Sequence, residues 1–157
     1  MDKMRESVFA CLGDITNLSF LDIFTGSGII ALEAASRGAL PVEAVEQDKQ
    51  KMKILLENVS ISPHRINCHL MPAELFIKRA KNSFMIIFLD PPFSYRYKWE
   101  LVENIASCRL SSSGTKILIH RPRRDFLKNS TAKIEKYDER EYGRSVVDFF
   151  TVNKNIS

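Results

Sequence analysis

The sequence predicts an α/β fold in which a mostly parallel sheet of seven strands has helices on both faces and an antiparallel last strand. Segments with helical apolar spacing alternate with short apolar segments typical of strands, which predicts parallel strands joined by helices. The segment FMIIFL at 84–89 is apolar without alternation, as expected for a central strand covered on both faces. The last two strands are separated by a very short turn, so they must be antiparallel.

The first part of the chain is expected to alternate between helix and strand. Met4, Val8 and Leu12 have helical spacing and predict the first helix. Gly38 is expected to end the second helix, and Asp48 is expected to cap the start of the third. The predicted helices here are 2–13, 27–38, 48–60 and 73–80, and the predicted strands are 19–24, 41–46 and 66–71.

The second part of the chain continues the alternation and then departs from it. A strand at 84–89, a helix at 97–107 and a strand at 114–121 continue the pattern, followed by a short, possible helix in DFLKN. The strands 133–142 and 145–152 are joined through Gly143. A dinucleotide-binding Rossmann domain does not have this antiparallel end.

Length and composition exclude several classes of protein. The 157 residues fit a single domain, 1–157. The three cysteines are far apart and odd in number, which predicts no disulfide framework and a cytoplasmic location. The histidines lack metal-ligand spacing, so no metal is expected. No apolar segment approaches the roughly 20 residues of a membrane span, and no signal peptide is expected. The net charge of +4 permits a polyanionic partner.

The stretch LDIFTGSG (21–28) combines the end of a strand, a glycine turn and the start of a helix. Gly26 and Gly28 permit positive φ and a close approach between ligand and backbone. Glu46 ends the second predicted strand, where a carboxylate can accept both ribose hydroxyls of an adenosine. The glycine turn together with Glu46 fits either NAD or S-adenosylmethionine. Asp22 favours the second, because a carboxylate repels a pyrophosphate and suits a sulfonium cation.

The stretch IIFLDPPF (86–93) is the most informative one. Asp90 ends a buried strand, so its carboxylate is expected at the ligand edge of the sheet. Pro91 and Pro92 fix φ and lack an N–H, which predicts a stiff turn. The amine of an aromatic ring is a poor nucleophile because its lone pair is delocalised. The Asp90 carboxylate and the Pro91 carbonyl can bind its two N–H groups while Phe93 stacks on the ring, which predicts methylation of a base.

Basic and aromatic residues follow these elements. RPRR (121–124) comes after the fifth strand, and with Lys128 it predicts a cationic cluster that contacts phosphates. SYRYKW (94–99) mixes aromatic rings and cations, which suits a flipped base and its neighbours. The residues expected to bind RNA are Arg121, Arg123, Arg124, Tyr95 and Arg96. Asn58 is interpreted as a residue of a helix C-terminus, and His120 as a satisfied structural histidine.

The quoted segments resemble the class I S-adenosylmethionine-dependent methyltransferases with a Rossmann-like fold, and among them the bacterial 16S rRNA guanine-N2 methyltransferases of the RsmD type. The matching segments are RESVFACL (5–12), LDIFTGSGIIALEAASRGA (21–39), VEQD (45–48), FLDPPF (88–93) and YGRSVVDFF (142–150). The resemblance implies S-adenosylmethionine as cofactor. It implies a guanine in small-subunit rRNA, within an assembled or assembling particle, as substrate.

The resemblance also implies a role for individual residues. Glu46 would hold the ribose and Glu74 would lie near the adenine. The methionine part of the cofactor would be held by Asp22, Phe24, Gly26, Ser27 and Gly28. The target guanine would be held by Asp90, Pro91, Pro92 and Phe93. Relatives usually carry an N-terminal hairpin before the RESVF-like helix, and the sequence begins almost at that helix. His120 stands where an acid is common in the family.

Three other functions stay open on the sequence. A DPPF turn serves any ring amine, so an adenine-N6 methyltransferase of nucleic acids is an alternative. A catalytically inactive, RNA-binding module of the same fold is a second. An NAD-dependent oxidoreductase would use the glycine loop but leaves the DPPF turn and the antiparallel tail unexplained.

Overall fold

The computed structural model describes residues 2–125, 127 and 130–154. Seven strands form one sheet in the order β3-β2-β1-β4-β5-β7-β6. The chain divides into two compact units, Met1–Ala73 and Glu74–Ser157. The prediction of a single domain over 1–157 stays a prediction.

The first unit alternates helix and strand as predicted. Its three strands pair in parallel, with β2 between β1 and β3. Strand β1 is buried along its whole length, as expected for a strand covered on both faces. The elements are α1 (Asp2–Leu12), β1 (Phe20–Ile23), α2 (Ile29–Ser36), β2 (Val42–Glu46), α3 (Lys49–Ser60) and β3 (Asn67–Leu70).

Capping residues explain where the helices of this unit begin and end. The Asp48 side chain accepts hydrogen bonds from the N–H groups of Gln50 and Lys51, so the predicted N-cap of α3 is confirmed. Gly38 follows α2 with a φ of +93°, where a glycine costs least. Helix α2 begins two residues later than predicted, because Gly28 is still in the left-handed conformation.

The second unit contains the central strand and the antiparallel end. Strands β4 and β5 are parallel, whereas β7 is antiparallel to both β5 and β6. The sheet order therefore places the last strand of the chain between two earlier ones. The elements are α4 (Ala73–Lys78), β4 (Ile86–Leu89), α5 (Lys98–Ser107), β5 (Lys116–Pro122), β6 (Ile134–Tyr142) and β7 (Ser145–Val152).

The predicted fold class is confirmed, including the seven strands and the antiparallel last strand. The strands before β5 are shorter than predicted by one or two residues at an end. Phe24, for example, leaves β1 for a turn with a φ of +63°. Three residues of DFLKN, including Lys128, lie outside the described residues. The predicted helix there and the predicted part of Lys128 in the cationic cluster therefore stay predictions. No helix in the described part of the chain has the length and apolar character needed to cross a bilayer.

Candidate active site

The glycine loop of the first unit runs from the end of β1 into α2. Phe24, Gly26 and Gly28 all have positive φ, at +63°, +58° and +87°. Such values are unusual for a residue with a side chain, so Phe24 is held there by its surroundings. The carbonyl of Thr25 accepts a hydrogen bond from the N–H of Gly28 at 3.0 Å, which closes the turn. The loop therefore bends sharply at the carboxyl end of β1.

Asp22 fixes this loop from inside the protein. Its carboxylate Oδ2 accepts hydrogen bonds from the Thr25 hydroxyl at 2.6 Å and from the Ala31 N–H at 3.2 Å. The residue is 1% exposed. Its carboxylate therefore ties the loop to the first turn of α2. The prediction that Asp22 helps to hold the methionine part of the cofactor stays a prediction.

Glu46 lies at the end of β2, as predicted, and is bound to the glycine loop. Its Oε1 accepts a hydrogen bond from the Gly26 N–H at 2.9 Å, and its Oε2 accepts one from the Asp48 N–H at 3.0 Å. A carboxylate has about four lone-pair positions, so two more hydrogen bonds are available to hydroxyl donors. The two backbone bonds fix the direction in which the carboxylate points.

The two glycines differ in what surrounds them. A Cβ placed on Gly28 would lie 2.4 Å from Leu55 Cδ1, so a larger residue there would have to displace the buried Leu55 side chain. A Cβ on Gly26 would meet nothing within 4 Å, so open space lies beside that backbone. Ser27 between them is exposed. The open space at Gly26 and the carboxylate of Glu46 fit the aminoacyl and ribose parts of an adenosyl ligand.

Asn58 has a role that the sequence interpretation missed. Its side-chain Nδ2 donates a hydrogen bond to the Ser27 carbonyl at 2.8 Å. The residue therefore clamps α3 to the glycine loop and is more than a residue at a helix C-terminus. Its separation of 31 positions from Ser27 leaves no periodic signal in the sequence.

The DPPF turn of the second unit follows β4. Asp90 is half-buried, and its Oδ1 lies 3.0 Å from His120 Nδ1 on β5. Because a carboxylate oxygen accepts hydrogen bonds, the imidazole tautomer with its proton on Nδ1 is assigned, and this N–H donates a hydrogen bond to Asp90. The second oxygen, Oδ2, is left for another donor. Pro91 is buried, whereas Pro92 is exposed and accepts the Tyr95 N–H at 2.8 Å.

His120 is not the satisfied structural histidine that the sequence suggested. Its Nε2 atom is buried and has no hydrogen-bond partner among the described residues. The ring of Phe93 packs edge-on against the imidazole, with 5.6 Å between ring centroids. Phe93 itself is 45% exposed. Phe93, which has an exposed ring, therefore packs directly against His120, the residue that orients Asp90.

Lys98 holds the segment after Phe93 in place. The residue is 3% exposed, and its ammonium donates to the carbonyls of Phe93 at 2.9 Å and Tyr95 at 2.7 Å. It also forms an ion pair with Asp125 at 2.7 Å. A buried lysine requires such partners, because an unpaired buried charge is very costly. Nothing in the sequence distinguishes Lys98, since it opens helix α5 like an ordinary surface lysine.

Glu74 and Tyr95 bind each other. The Tyr95 hydroxyl donates to Glu74 Oε1 at 2.7 Å. Burial, together with this hydrogen bond and the Glu74 charge, raises the pKa of the Tyr95 hydroxyl well above its ordinary value. Tyr95 is therefore a neutral donor at any physiological pH. One oxygen of Glu74 is engaged by this contact.

Arg121 corrects the expectation that all three arginines of RPRR face RNA. Its guanidinium binds Asp148 at 2.5 Å and the Asp125 carbonyl at 2.6 Å, and it is 7% exposed. Desolvation acts against the charge, but the hydrogen bond and charge of Asp148 outweigh it and raise the pKa of Arg121. Arg121 is thus an internal structural residue. Arg123 and Arg124 are exposed, and Arg123 pairs with Glu141 at 2.9 Å.

Two cavities of the second unit border Phe93. The first has a volume of about 550 Å³ and includes Tyr95, Arg96 and Arg124 in its lining. The second has a volume of about 680 Å³ and is lined by Phe93, Pro122, Arg123, Arg124, Gly143 and Arg144. The structure thus brings four of the five predicted RNA-binding residues to the surroundings of Phe93. Arg144, which lies in the YGR segment, was not singled out as a binding residue.

A metal site was not expected, and the described residues contain no group of three or more His, Cys, Asp or Glu side chains that could hold a metal ion.

Residues 1–151 match the family described as "Conserved hypothetical protein 95". The chain belongs to this family. Since the match covers nearly the whole chain, the resemblance to the RsmD type is confirmed. One relative, the ribosomal RNA small subunit methyltransferase D of Buchnera aphidicola, is 35% identical over 57% of this chain and 47% of its own length.

A second kind of relative is named for the modification of a tRNA. The tRNA1(Val) (adenine(37)-N6)-methyltransferase of Salmonella arizonae is 40% identical over 59% of this chain and 38% of its own length. The chain thus matches about half or less of the length of these relatives.

Solved structures agree on the fold. A conserved hypothetical protein of Streptococcus pyogenes superposes with a TM-score of 0.88 at 27% identity, over 98% of both chains. SMU.776, solved in complex with SAH, superposes with a TM-score of 0.77 at 15% identity, over 96% of this chain and 48% of its own. The fold is that of the class I methyltransferases, whose cofactor is S-adenosylmethionine.

Proposed function

We propose that this protein methylates the N2 amine of a guanine in small-subunit ribosomal RNA, with S-adenosylmethionine as methyl donor. The observation that carries the proposal is the Asp90 carboxylate, which His120 holds at one oxygen and which has its other oxygen available at the end of β4. The family membership and the Buchnera relative support an RNA substrate. Arg123, Arg124 and Arg144 around Phe93 supply cations for the flanking phosphates.

In the proposed site, Asp90 Oδ2 accepts one N–H of the ring amine and the Pro91 carbonyl accepts the other. Among the described residues, no donor is bonded to that carbonyl, whereas the Pro92 carbonyl is already used within the turn. Two acceptors favour a pyramidal nitrogen whose lone pair points away from them. The rate then comes from positioning and electrostatics, without a covalent intermediate.

Proton balance gives Asp90 a second task. When bound, the cofactor supplies an electrophilic methyl carbon on a sulfonium. Transfer of that methyl group to the nitrogen would break its bond to sulfur, with the neutral thioether as leaving group, and the nitrogen would gain a positive charge that is relieved by loss of one proton. The Asp90 carboxylate already accepts that N–H and is the nearest base. His120 keeps the carboxylate oriented while the proton leaves.

We propose that Glu46 and the backbone at Gly26 and Ser27 contact the cofactor. The open space beside Gly26 and the remaining lone pairs of Glu46 support these contacts. Asp22 and Phe24 shape the loop, and Glu74 is proposed to lie near the adenine.

The decisive experiment is methyl transfer from labelled S-adenosylmethionine to small-subunit RNA and to immature particles, followed by mass spectrometry of the nucleosides. The expected product is N2-methylguanosine. Asp90→Asn keeps the shape of the side chain and removes its charge, so we expect kcat to fall by about 10²–10³. Calorimetry with S-adenosylhomocysteine is the control, because cofactor binding should be unchanged. Failure to methylate any RNA despite cofactor binding would refute the proposal.

A second candidate is N6-methylation of adenine, which the Salmonella relative supports. The DPPF turn offers the same two acceptors to that amine. N6-methyladenosine among the products, in place of N2-methylguanosine, would establish this alternative.

A further inference from the structure

A separate concentration of positive charge lies in the second unit. It is a concave surface of about 600 Å³ whose cations are Lys78, Arg79, Lys81, Arg109 and Lys154. Its other lining residues are Ile77, Ala80, Ser107 and Cys108, so the described lining contains no acidic side chain. We call it the distal cationic surface.

The distal cationic surface lies at the opposite edge of the unit from the DPPF turn. Its residues 78–81 precede β4, and Arg109 precedes β5, which runs parallel to β4. Lys154 follows β7, whose last residues pair with the start of β5. The DPPF turn instead follows β4. The four residues of β4 alone separate the two edges by about 13 Å.

No acidic side chain among the described residues opposes the charges of the distal cationic surface. Lys78, Arg79, Lys81 and Arg109 are exposed, and none of the carboxylates in the described part of the chain lies within 4 Å of them. Other exposed arginines do have such partners: Arg37 pairs with Glu33 and Arg140 with Asp138.

Lys154 differs from the other four cations, because its ammonium is fixed by the carbonyls of Cys108 and Ser111 at 2.6 Å each. The net charge of the whole chain is +4. The five cations of this surface, with no acidic side chain among its described lining residues, carry more positive charge than the net charge of the whole chain.

We propose that the distal cationic surface binds the phosphate backbone of the RNA whose base enters the DPPF turn. This inference rests on the proposed function for the identity of the RNA. Lysine and arginine clusters bind successive phosphates without regard to sequence. An acidic protein is the less suitable partner, because protein interfaces need aromatic or aliphatic anchors at their centre. None of the large exposed hydrophobic side chains of the described residues lines this surface.

The position of the surface implies a requirement for large substrates. One RNA molecule contacts both edges of the unit only when it is long enough, and folded suitably, to pass around the protein. A short hairpin carrying the target base reaches the DPPF turn and leaves the distal cationic surface empty. The surface therefore contributes affinity for large RNA and contributes nothing to turnover of a short one.

The test uses the full chain with Arg79 and Lys81 both replaced by glutamate. The control carries Lys3→Glu and Lys53→Glu, two exposed lysines of the first unit, and so has the same net charge. Binding of protein-free small-subunit RNA is measured by filter retention at several KCl concentrations. We expect the Kd of R79E/K81E to rise at least tenfold, with a salt dependence shallower by about 1.4–1.8 in log–log slope. The control should change less than threefold, and methylation of a short hairpin should be unchanged in both variants.

Two results would overturn the inference. An equal loss of RNA affinity in the control would show an effect of net charge alone. Unchanged binding of protein-free RNA with weaker binding of the assembled particle would assign the surface to an acidic protein. The same experiment distinguishes failure of this inference from failure of the proposed function. If the wild-type protein transfers no methyl group to RNA but R79E/K81E still binds RNA more weakly, the proposed catalytic function is wrong and the RNA-binding role of the surface is supported.

Discussion

The Asp90–His120 pair shows how one hydrogen bond sets the chemistry of a residue. Because Nδ1 of His120 donates to Oδ1, only one Asp90 oxygen is left for a substrate N–H. The same bond leaves Nε2 as a buried acceptor without a partner, at a cost of about 1–3 kcal/mol. A strained or unsatisfied group of this kind is typical of functional positions.

Tyr95 gives a prediction about pH. Its pKa is raised in the folded state by burial and by the Glu74 carboxylate. The stability that this contact provides is therefore complete below the ordinary tyrosine value of about 10, and it is lost as the pH rises towards the higher folded value. Ultraviolet titration of the four tyrosines should show one late ionisation that is missing in Tyr95→Phe. An identical alkaline titration of the two proteins would contradict the assignment.

Arg121 marks the limit of sequence reasoning at this scale. RPRR looks like a solvated cationic loop, and two of its three arginines are indeed exposed. The third is buried because Asp148, 27 positions later, pairs with it through the neighbouring strand. Nothing in the spacing of the two residues reveals that contact, since it depends on which strands are adjacent.

The glycine loop is an element whose two glycines serve different purposes. Gly28 is confined by Leu55, whereas Gly26 faces open space. The sequence alone does not distinguish Gly26 from Gly28, because each is a glycine in a tight turn. The packing separates a glycine that the fold needs from one that a ligand needs.

Alanine substitutions at the two positions should therefore have different results. Gly28→Ala must displace Leu55 at a φ of +87°, so we expect a loss of roughly 2–4 kcal/mol in the free energy of unfolding. Gly26→Ala has only the backbone strain, about 1 kcal/mol, yet should weaken S-adenosylmethionine binding. Urea unfolding and calorimetry measure the two effects. Equal destabilisation by both substitutions would show that the Leu55 contact is unimportant.

The start of helix α5 stabilises the loop that carries Phe93. Lys98→Met keeps the apolar stem and removes the ammonium, which leaves two carbonyls and Asp125 without their donor. We expect the free energy of unfolding to fall by about 1–3 kcal/mol and the KM for RNA to rise. Binding of S-adenosylhomocysteine should not change. The matched control is Lys53→Met at an exposed position, and wild-type stability of Lys98→Met would contradict the tether.

Across the second unit, these contacts form one continuous series. Asp148 on β7 binds Arg121 on β5 and, at 3.1 Å, Lys136 on β6. Arg121 then binds the Asp125 carbonyl, and the Asp125 carboxylate binds Lys98. The buried charge of Asp148 is thus linked to the loop after the DPPF turn.

Removing the first member of this series should destabilise the whole molecule. Asp148 is 0% exposed, and Asp148→Asn removes the buried charge that pairs with Arg121 and Lys136. Both cations also contact Glu139, and we expect the loss of the buried charge to cost about 3–5 kcal/mol. For a chain of this length the melting temperature should fall by roughly 10 °C in a thermal scan. Asp138→Asn breaks only the surface pair with Arg140 and should cost less than about 1 kcal/mol. Similar shifts for the two variants would rule out a special role for the buried charge.

At the scale of the molecule the sequence was most informative. Apolar spacing located the helices and strands of the described residues to within a few positions, and the short turn at Gly143 required the antiparallel pair. Periodicity reports which face of an element is buried, and that is sufficient for the architecture. It does not report partners such as Asn58 and Ser27 or Lys98 and Phe93, because side chains meet across elements whose distance in sequence varies freely.

The place of β7 in the sheet has a consequence for how the protein is made. Both β5 and β6 precede β7 in the chain, although β7 lies between them in the sheet. Until β7 docks, each of these two strands has an open side, and two rows of backbone amides and carbonyls are available to other chains. A newly made chain in which β7 has not yet docked is therefore the form most exposed to mispairing.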